Sequence, residues 1–566
     1  MSDSPTVPPN ADGIGRRTFV ERALAGSAAL LVTGGAGDVQ ASSLEALTSA
    51  RAAVPPVQDS LFEQSIDSLS RRMGDKSLSS RALTERYLAR IDTVDRSGPR
   101  VNSVIELNPD ALAIAAERDA ERAAGRVRGP LHGIPVLIKD NIDTADRMRT
   151  SAGSLALAGN TPARDAFIVA RLREAGAVII GKTNLSEWAN FRSTRSTSGW
   201  SARGGQTRNP YVLDRNPCGS SSGTGAAIAS DLATVGIGTE TDGSIICPAA
   251  INGLVGVKPT VGLWSRSGII PISVSQDTAG PMARTVADAA ALLGVLTGTD
   301  PRDDATRASA RAGRTIADYT IGLDAGALRG KRIGVARNLA GFNTHVDRVF
   351  DDAVAAMKNA EAVIVDPANL AGSGQLGDPE FDVLLYEFKQ GLNAYLASLG
   401  SDAPVKSLAD VIAFNERERA REMPWFGQEI LIRAEKKTPT RAAYLKARAT
   451  CLRLARTQGI DATMAKHRLD AIVLPSNQPS WTTDLLNGDH FTGGNSTFAA
   501  VAGYPSITVP MGFVHGLPVG MSFIGKAWSE ARLLGIAYAF EQATKARKSP
   551  QFRMTTDSPI AVNGRA

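Results

Sequence analysis

Apolar residues recur along the chain with two periods, one typical of helices and one typical of buried strands. Between residues 77 and 94 they return every few positions, as one buried face of a helix requires. Residues 133–140 are instead a continuous apolar run that ends in a lysine and an aspartate, which is typical of a strand buried on both faces. The same criteria predict helices over residues 111–125, 165–175, 224–231, 286–296 and 530–544, and strands over residues 177–180, 234–238, 332–335, 362–365, 471–474 and 519–524.

This alternation of strands and helices predicts an α/β protein with a large central mixed sheet that helices cover on both faces. The composition, 43% hydrophobic and 21% charged residues, is that of a globular protein. We expect one large domain over residues 59–548, with a helical subregion at about 380–460 and a C-terminal tail over residues 549–566. Residues 301–330 and 367–380 are expected to be surface excursions.

The N-terminal region has the order of an export signal. An arginine pair at residues 16–17 precedes a mild apolar stretch at residues 23–32, and small residues suited to cleavage follow. This combination is typical of a twin-arginine signal, and the apolar stretch is too short to span a bilayer. We therefore predict a signal peptide over residues 1–41, a linker over residues 42–58 and an exported, periplasmic protein. The alternative is an unstructured tail with a chance arginine pair.

Charge and cysteine content exclude several classes of function. The net charge of +6 is small for 566 residues and no dense basic run stands out, so nucleic-acid binding and stable membrane insertion are not expected. The three cysteines are too few for a disulfide framework, and we expect Cys218 and Cys247 to be small core residues. The five histidines are scattered, so no metal or cofactor is predicted.

Two motif matches conflict with their surroundings. Residues 176–183 satisfy the P-loop pattern, but their middle is a predicted strand, which cannot wrap a phosphate. Lys182 is then expected to be structural. Residues 219–223 satisfy the G-x-S-x-G pattern with Ser221 as nucleophile, but a turn-rich stretch with two prolines precedes them where a strand is required.

A wider view of the same region indicates a different serine chemistry. A Gly/Ser-rich stretch at residues 218–225 opens a small-residue helix, a strand follows, and a tight loop at residues 239–245 carries Ser244. Such a loop can aim consecutive N–H groups at one anion. The two serine-bearing turns flank one helix–strand unit and could meet in space. Because no histidine is well placed, the base must be a lysine or a carboxylate.

Lys139 is the best candidate for that base. It ends a strand that should be buried, and desolvation favours the neutral amine, which accepts a proton near neutral pH. The alternative is that Lys139 pairs with Asp140 or another carboxylate and only holds the loop.

The region at residues 216–260, with NPCGSSSGTG, GTETDGSI and GVKPT, resembles the signature of the amidase signature family. Together with the supporting segments, the resemblance covers most of residues 75–545 in the family's order. Within the family the chain is most similar to bacterial peptide amidases. The supporting segments are residues 133–141, 181–187, 500–512 and 516–520, and those shared with peptide amidases are residues 188–191, 199–210, 247–253 and 275–282.

The resemblance implies a Ser-cisSer-Lys triad made of Ser244, Ser220 and Lys139. Neutral Lys139 would take a proton from Ser220, Ser220 would take one from Ser244, and Ser244 would attack the amide carbonyl. A cis peptide bond is implied next to Ser220, and we expect the bond that joins Gly219 to Ser220 not to be the cis one.

The resemblance also implies an oxyanion hole built from the backbone N–H groups of Thr241, Asp242, Gly243 and Ser244. The commoner family pattern has Gly-Gly before the nucleophile, whereas this chain has Asp242-Gly243. The Asp242 carboxylate either orients an N–H or amino group of the substrate or points away from the site. We expect it to be hydrogen-bonded or to face a cationic group.

The implied function is hydrolysis of carboxamides, above all C-terminal peptide amides, to the free acid and ammonia through an acyl-enzyme. The implied substrate is a small peptide or amide. The alternatives are a broad aliphatic or aryl-acyl amidase, an amidotransferase A subunit that releases ammonia from glutamine for a partner, and a non-catalytic binding protein on the same fold.

Overall fold

The computed structural model describes residues 61–557, apart from residues 312, 314–315, 401–402 and 437. The predicted signal peptide, the predicted linker and the end of the predicted tail lie outside these residues. The strands are β1 Val104–Leu107, β2 Pro135–Lys139, β3 Val178–Thr183, β4 Trp200–Ser201, β5 Gly205–Gln206, β6 Val235–Glu240, β7 Val255–Lys258, β8 Thr278–Ala283, β9 Arg332–Val335, β10 Val363–Val365, β11 Ala471–Pro475, β12 Ser506–Val514 and β13 Leu517–Ile524.

Of the helices, two precede β1, one follows β13, and the others lie between strands, with one long run before β11. They are α1 Ile66–Gly74, α2 Ser80–Arg90, α3 Ala111–Ala123, α4 Phe167–Glu174, α5 Ser222–Ala229, α6 Ile246–Ile251, α7 Val286–Val295, α8 Ala305–Arg311, α9 Thr344–Asn359, α10 Gly377–Ala397, α11 Leu408–Arg417, α12 Arg419–Glu422, α13 Glu429–Lys436, α14 Arg441–Leu452, α15 Asp461–His467, α16 Thr497–Ala502 and α17 Glu530–Thr544. Two π-helical segments, Ile91–Ser97 and Arg453–Ile460, continue α2 and α14.

The centre of the fold is an eleven-stranded mixed sheet with the order β1-β3-β2-β6-β8-β7-β12-β13-β11-β9-β10. Strand β2 runs parallel to both β3 and β6, and β11 runs parallel to β9. Between these two parallel regions, β8, β7, β12 and β13 pair with their neighbours in the antiparallel sense. The predicted α/β class and mixed sheet are confirmed.

Helices cover both faces of the sheet, as predicted. Successive residues of a strand point to opposite faces, so alternate residues report on each side. In β11, Ala471 and Val473 belong to the main hydrophobic core with residues of α9, whereas Ile472 and Leu474 belong to a second core with residues of α15 and α16. All four side chains are buried.

Most predicted elements form close to their predicted bounds. Strand β9 and helix α17 have the bounds that the periodicity predicts. Helix α2 starts three residues later than predicted, because the Ser79 side chain accepts a hydrogen bond from the Ala82 amide (3.0 Å) and caps the helix there. Strands β1, β4, β5, β7, β8 and β12 were not predicted.

Strand β8 illustrates why sequence periodicity missed some strands. Its sequence, TAGPMA, contains glycine and proline in its interior, which argues against a strand. Gly280 is needed there because a Cβ at this position would clash with the main-chain carbonyl of Val257 on β7. The close approach of two backbones, which one sequence does not reveal, makes this strand possible.

Residues 301–330 and 367–380 lie mostly at the surface, as expected, but both segments are anchored to the body of the protein. The first contains α8 and is anchored by Asp303, whose carboxylate accepts hydrogen bonds from both the main chain and the side chain of Arg266. Each segment also sends side chains into the interior. The buried side chains are Thr306, Tyr319 and Leu328 in the first segment and Ala368, Leu370 and Leu376 in the second.

Helices α10 to α14 follow one another over residues 377–452 and form a layer beside the sheet. Leu385, Phe388 and Leu392 of α10 share a hydrophobic core with Trp188 and Ile270, which lie in loops that connect strands of the structure. The helical layer therefore buttresses those loops. In the part of the chain described, every helix is either too short or too polar to cross a bilayer.

Candidate active site

Lys139 ends β2 in the interior, and its side chain is fully buried. Its Nζ donates hydrogen bonds to Ser220 Oγ (2.7 Å), Thr239 Oγ1 (2.9 Å) and Thr239 O (3.2 Å). The Asp140 carboxylate faces other groups, accepting hydrogen bonds from Ser151 and from the guanidinium of Arg203. The alternative in which Lys139 pairs with Asp140 is therefore not what the structure contains.

Burial changes the charge state of this lysine. Removal from water lowers the pKa of Lys139 from 10.5 to about 7, although the negative charges of Glu240 and Asp277 act in the opposite direction. A substantial fraction of the amine is then neutral near pH 7. The prediction of a desolvated lysine at the end of this strand is confirmed.

Ser220 lies in the turn that leads into α5 and is fully buried. Its carbonyl accepts a hydrogen bond from the Ser186 amide (3.1 Å), which ties the turn to a neighbouring loop. The peptide bond between Gly219 and Ser220 is cis. The expectation that this bond is not the cis one was wrong.

Ser244 lies in the loop between β6 and α6. Glu240, the last residue of β6, accepts hydrogen bonds through one carboxylate oxygen from the amides of Ile245 (2.7 Å) and Ile246 (2.9 Å). These two bonds fix the far end of the loop, and Gly243 turns it with φ +79°. The loop conformation therefore depends on a buried carboxylate and one left-handed glycine.

The amides of this loop are available to bind an anion. No group among the described residues accepts a hydrogen bond from the N–H of Asp242, Gly243 or Ser244. Consecutive unpaired amides around a left-handed glycine form the kind of concavity that binds oxyanions. The oxyanion role expected of this loop stays a prediction.

The two serine-bearing turns meet, as the sequence suggested. The Ser221 amide donates to the Ser244 carbonyl (3.1 Å), so the chain that follows Ser220 lies against the chain at Ser244. Cys218 and Cys247 form a disulfide that joins the same two segments. Both cysteines are buried core residues, as expected, but the sequence did not predict their disulfide, because a separation of 29 residues indicates pairing only once the turns are known to meet.

Asp277 supports the loop from the opposite side, and sequence reasoning did not single it out. It accepts hydrogen bonds from Thr241 Oγ1 (2.6 Å) and from the amides of Ile272 (2.8 Å) and Ser273 (2.9 Å). Burial raises the pKa of Asp277 to about 6 despite these bonds. The only signal in the sequence was its place in the segment at residues 275–282.

A cavity of 420 Å³ adjoins this framework. Isoleucines of the 269–272 segment form much of its apolar side. Its polar side contains Asn141, Thr239 and Thr241 and also charged residues, namely Glu240, Arg266, Asp277, Arg302 and Asp303. Its size suits a small organic group rather than a macromolecule. Among the described residues, no set of three or more histidine, cysteine, aspartate or glutamate side chains is arranged to hold a metal ion.

Lys182 lies in β3 rather than in a phosphate-binding loop. Its buried Nζ donates hydrogen bonds to Thr150 Oγ1 (3.0 Å) and to the Ile142 carbonyl oxygen (2.5 Å). These partners agree with the structural role that the sequence predicts.

Comparison with known proteins identifies relatives that cover most of the chain. A family model described as Amidase matches residues 82–534. The native peptide amidase of Stenotrophomonas maltophilia has a TM-score of 0.82 at 55% identity, covering 87% of this chain and 99% of that one. The peptide amidase PAM in complex with the competitive inhibitor chymostatin has a TM-score of 0.84 at 55% identity, covering 87% and 100%. A probable amidase of Arabidopsis thaliana is 42% identical over 504 residues, 87% of this chain and 92% of that protein.

Proposed function

This chain belongs to the amidase signature family, and on that premise we propose that it hydrolyses the C-terminal carboxamide of small peptide amides to a free acid and ammonia. The observation that carries the proposal is the hydrogen bond from the buried Lys139 amine to Ser220 Oγ. The turn that carries Ser220 meets the loop that carries Ser244, whose amides have no acceptor among the described residues. That arrangement supplies a proton acceptor, a relay hydroxyl, a nucleophile and an anion site within one framework.

In the proposed reaction, neutral Lys139 accepts the hydroxyl proton of Ser220. Ser220 in turn accepts the hydroxyl proton of Ser244, and Ser244 Oγ forms a bond to the amide carbon. General-base assistance of this kind contributes about 10²–10⁴-fold to the rate. A lysine with pKa about 7 suits the task, because its neutral form is populated at neutral pH while its conjugate acid can still return the proton.

The carbonyl oxygen becomes an oxyanion in the tetrahedral intermediate. The amides of Asp242, Gly243 and Ser244 would donate hydrogen bonds to it, together with the amide of Thr241. As the carbon–nitrogen bond breaks, Ser220 would return a proton to the departing nitrogen, which leaves as ammonia. A water molecule then attacks the ester of Ser244, and the same relay takes a proton from this water. The relay returns the proton to Ser244 Oγ as the free acid departs, which regenerates the serine.

Two observations support a peptide amide as the substrate. The chain is 55% identical to peptide amidases over nearly their whole length, well above the 42% for the plant amidase. The cavity beside the loop combines isoleucines with Asn141, threonines and charged residues of both signs, a mixed lining that suits an amino-acid residue with its polar backbone.

The proposal is tested by measuring ammonia release from purified protein with four substrate classes: peptide amides, free amino-acid amides, anilides and glutamine. We expect the largest kcat/KM for peptide amides. Ser244→Ala should abolish turnover while the melting temperature is retained. Ser373→Ala, which changes an exposed serine far along the chain from these loops, is the matched control and should behave as wild type.

The other outcomes of this screen have defined meanings. Preference for anilides or simple aliphatic amides would replace the proposal with a broad amidase. Release of ammonia from glutamine alone, with copurification of a tRNA-binding partner, would replace it with an amidotransferase subunit. Turnover by Ser244→Ala at the wild-type rate would remove Ser244 as the nucleophile.

A further inference from the structure

The carboxylate of Asp242, in the middle of the oxyanion loop, lacks a donor for one of its oxygens. Oδ2 accepts a hydrogen bond from Thr497 Oγ1 (2.7 Å), whereas Oδ1 is buried and receives no hydrogen bond from any N–H or O–H of the described residues. A buried carboxylate oxygen without a donor is costly, on the order of a few kcal/mol. Two neighbours carry a proton that could reach this carboxylate, the Ser496 hydroxyl and the carboxyl group of Glu380, which lies in hydrogen-bonding contact with Asp242.

Glu380 comes from α10, the first helix of the layer beside the sheet, and it is almost completely buried. Its Oε1 accepts a hydrogen bond from Gln276 Nε2 (2.8 Å), and the same nitrogen donates to the Thr241 carbonyl (3.3 Å). Glu380 therefore touches the oxyanion loop at two consecutive residues, through Gln276 at Thr241 and directly at Asp242.

Two carboxyl groups in contact inside a protein do not both ionise, because like charges repel strongly where water is excluded. The contact therefore holds one proton between them. Burial raises the pKa of both carboxyl groups. The charge of Asp242 raises the pKa of Glu380 further, to well above its usual range, whereas the nearby hydroxyls of Ser496 and Thr497 act to lower the pKa of Asp242. Accordingly, the proton resides on Glu380 and points at Asp242.

Charged and titratable groups from other elements face this pair. Lys258 at the end of β7 acts on Asp242 with a positive charge, and Glu240 at the end of β6 acts on it with a negative one. Cys451 of α14 is near enough to Glu380 for the charge of that carboxyl group to act on it. Lys258 favours an ionised Asp242, whereas Glu240 and the burial of the site oppose a second negative charge.

We propose that Glu380 is a positioning residue. As a neutral carboxylic acid it donates a hydrogen bond to Asp242 and so holds the oxyanion loop in the conformation in which its amides have no protein acceptor. The proposal rests on the function proposed above for that loop. The proposal also gives a role to Asp242, which stands where the commoner family pattern has glycine. The carboxylate of Asp242 joins the loop to the helical layer. The side chain of Asp242 is thereby occupied by Thr497 and Glu380 rather than by substrate.

The proposal predicts an alkaline limit on activity. When pH rises far enough to remove the shared proton, Asp242 and Glu380 become two adjacent carboxylates, and their repulsion displaces the loop. Activity should therefore fall at high pH. Deprotonation of Lys139 has the opposite effect, because activity rises with pH as this lysine loses the proton that keeps it from acting as a base. The two limbs together give a bell-shaped profile.

The test compares Glu380→Gln with Glu380→Ala by measuring kcat and KM across pH. Glutamine can donate to Asp242 and accept from Gln276 without a titratable proton, whereas alanine removes both bonds. We expect Glu380→Ala to lower kcat by about 10²-fold with little change in KM, because a misplaced catalytic framework slows the chemical step. Glu380→Gln should recover most of that loss and should lack the alkaline limb. Asp378→Ala, an exposed acid in the first turn of α10, is the matched control.

A second measurement separates this proposal from the function on which it rests. Folding retains the proton of Glu380, so wild-type stability should fall relative to Glu380→Gln as pH rises above the usual glutamate range towards the raised pKa. The Tm difference between the two proteins reports this without any substrate. A wild-type protein that hydrolyses no amide would contradict the proposed function alone.

Two results would overturn the role of Glu380. One is wild-type kcat in Glu380→Ala. The other is a Tm difference between wild type and Glu380→Gln that does not change with pH. If Glu380→Ala does not fold, Asp242→Asn decides, because an amide at this position donates to an ionised Glu380 and should also remove the alkaline limb.

Discussion

The Nζ of Lys139 lies 2.7 Å from the Oγ of Ser220, and both side chains are completely shielded from solvent. A lysine in water is almost always charged at neutral pH, and a charged amine cannot accept a proton. Burial shifts that balance, so this contact can serve proton transfer and not only structure. The proton acceptor comes from a parallel strand and the hydroxyl from a turn 81 positions later.

The pH dependence of turnover should report the charge of Lys139. Its pKa is lowered to about 7 and only the neutral amine accepts a proton, so kcat/KM should rise as pH increases through about 7. Below that value it should fall about tenfold per pH unit. Lys139→Arg retains the positive charge but cannot become neutral, and we expect it to lose at least about 10²-fold in kcat. A profile that stays flat down to pH 5 would exclude a lysine base.

The left-handed turn at Gly243 should be intolerant of a side chain. Gly243 has φ +79°, and a Cβ there would lie 2.8 Å from Ser496 Oγ, so Gly243→Ala must move the loop amides. Losing one oxyanion donor typically costs about 10²–10³-fold in kcat, and we expect a loss of that order. Gly125→Ala is the matched control, because Gly125 also has a left-handed φ but has open space around it. Equal kcat values for the two variants would contradict the assignment of this loop.

The disulfide between Cys218 and Cys247 should stabilise the protein and align the two serine-bearing turns. For a closed loop with a sequence separation of 29, the chain-entropy estimate is about 3 to 4 kcal/mol. We therefore expect Cys218→Ser with Cys247→Ser to lower the free energy of unfolding by that order and to lower kcat as well. Urea unfolding followed by intrinsic fluorescence measures the first effect. Cys451→Ser changes the one free cysteine among the described residues and should leave kcat unchanged.

The sequence was most informative where a residue's environment follows from its immediate neighbours. The apolar run before Lys139 identifies a buried strand, and the burial of its last residue accounts for the chemistry expected of that lysine. The Gly/Ser-rich turns at Ser220 and Ser244 were likewise visible, because a local run of glycine and serine predicts a turn whose backbone amides can face one point. The α/β class followed from the same local periodicity.

The sequence was least informative where distant segments determine the structure. Glu380 reaches Gln276 across 104 positions, and nothing in either segment indicates the other. Gly280 permits a strand that its own sequence disfavours, because Val257 on the neighbouring strand passes close by. Cys218 and Cys247 pair for a comparable reason, since only the meeting of two turns brings them within bonding distance.

We propose that the protein is exported as a folded molecule through its arginine pair. The motif at Arg16 and Arg17 lies outside the described residues, so the proposal rests on the sequence. The disulfide supports it, because such bonds persist in oxidising compartments such as the bacterial periplasm and are rare in the cytosol. Replacing both arginines with lysine should retain the protein in the cytoplasm, because the twin-arginine export route recognises the arginine pair itself rather than its positive charge. Cell fractionation followed by immunoblotting measures the distribution.

Arg22→Lys provides the matched control, because it changes an arginine in the same predicted signal peptide but outside the pair. This variant should fractionate as wild type. The cysteines supply a second readout, since protein retained in the cytoplasm should react with a thiol-alkylating reagent after denaturation, whereas exported protein should react only after reduction. Equal periplasmic fractions for wild type and the double lysine variant would contradict export through the arginine pair. A fully oxidised disulfide in the retained protein would show that the bond forms without export and so does not bear on location.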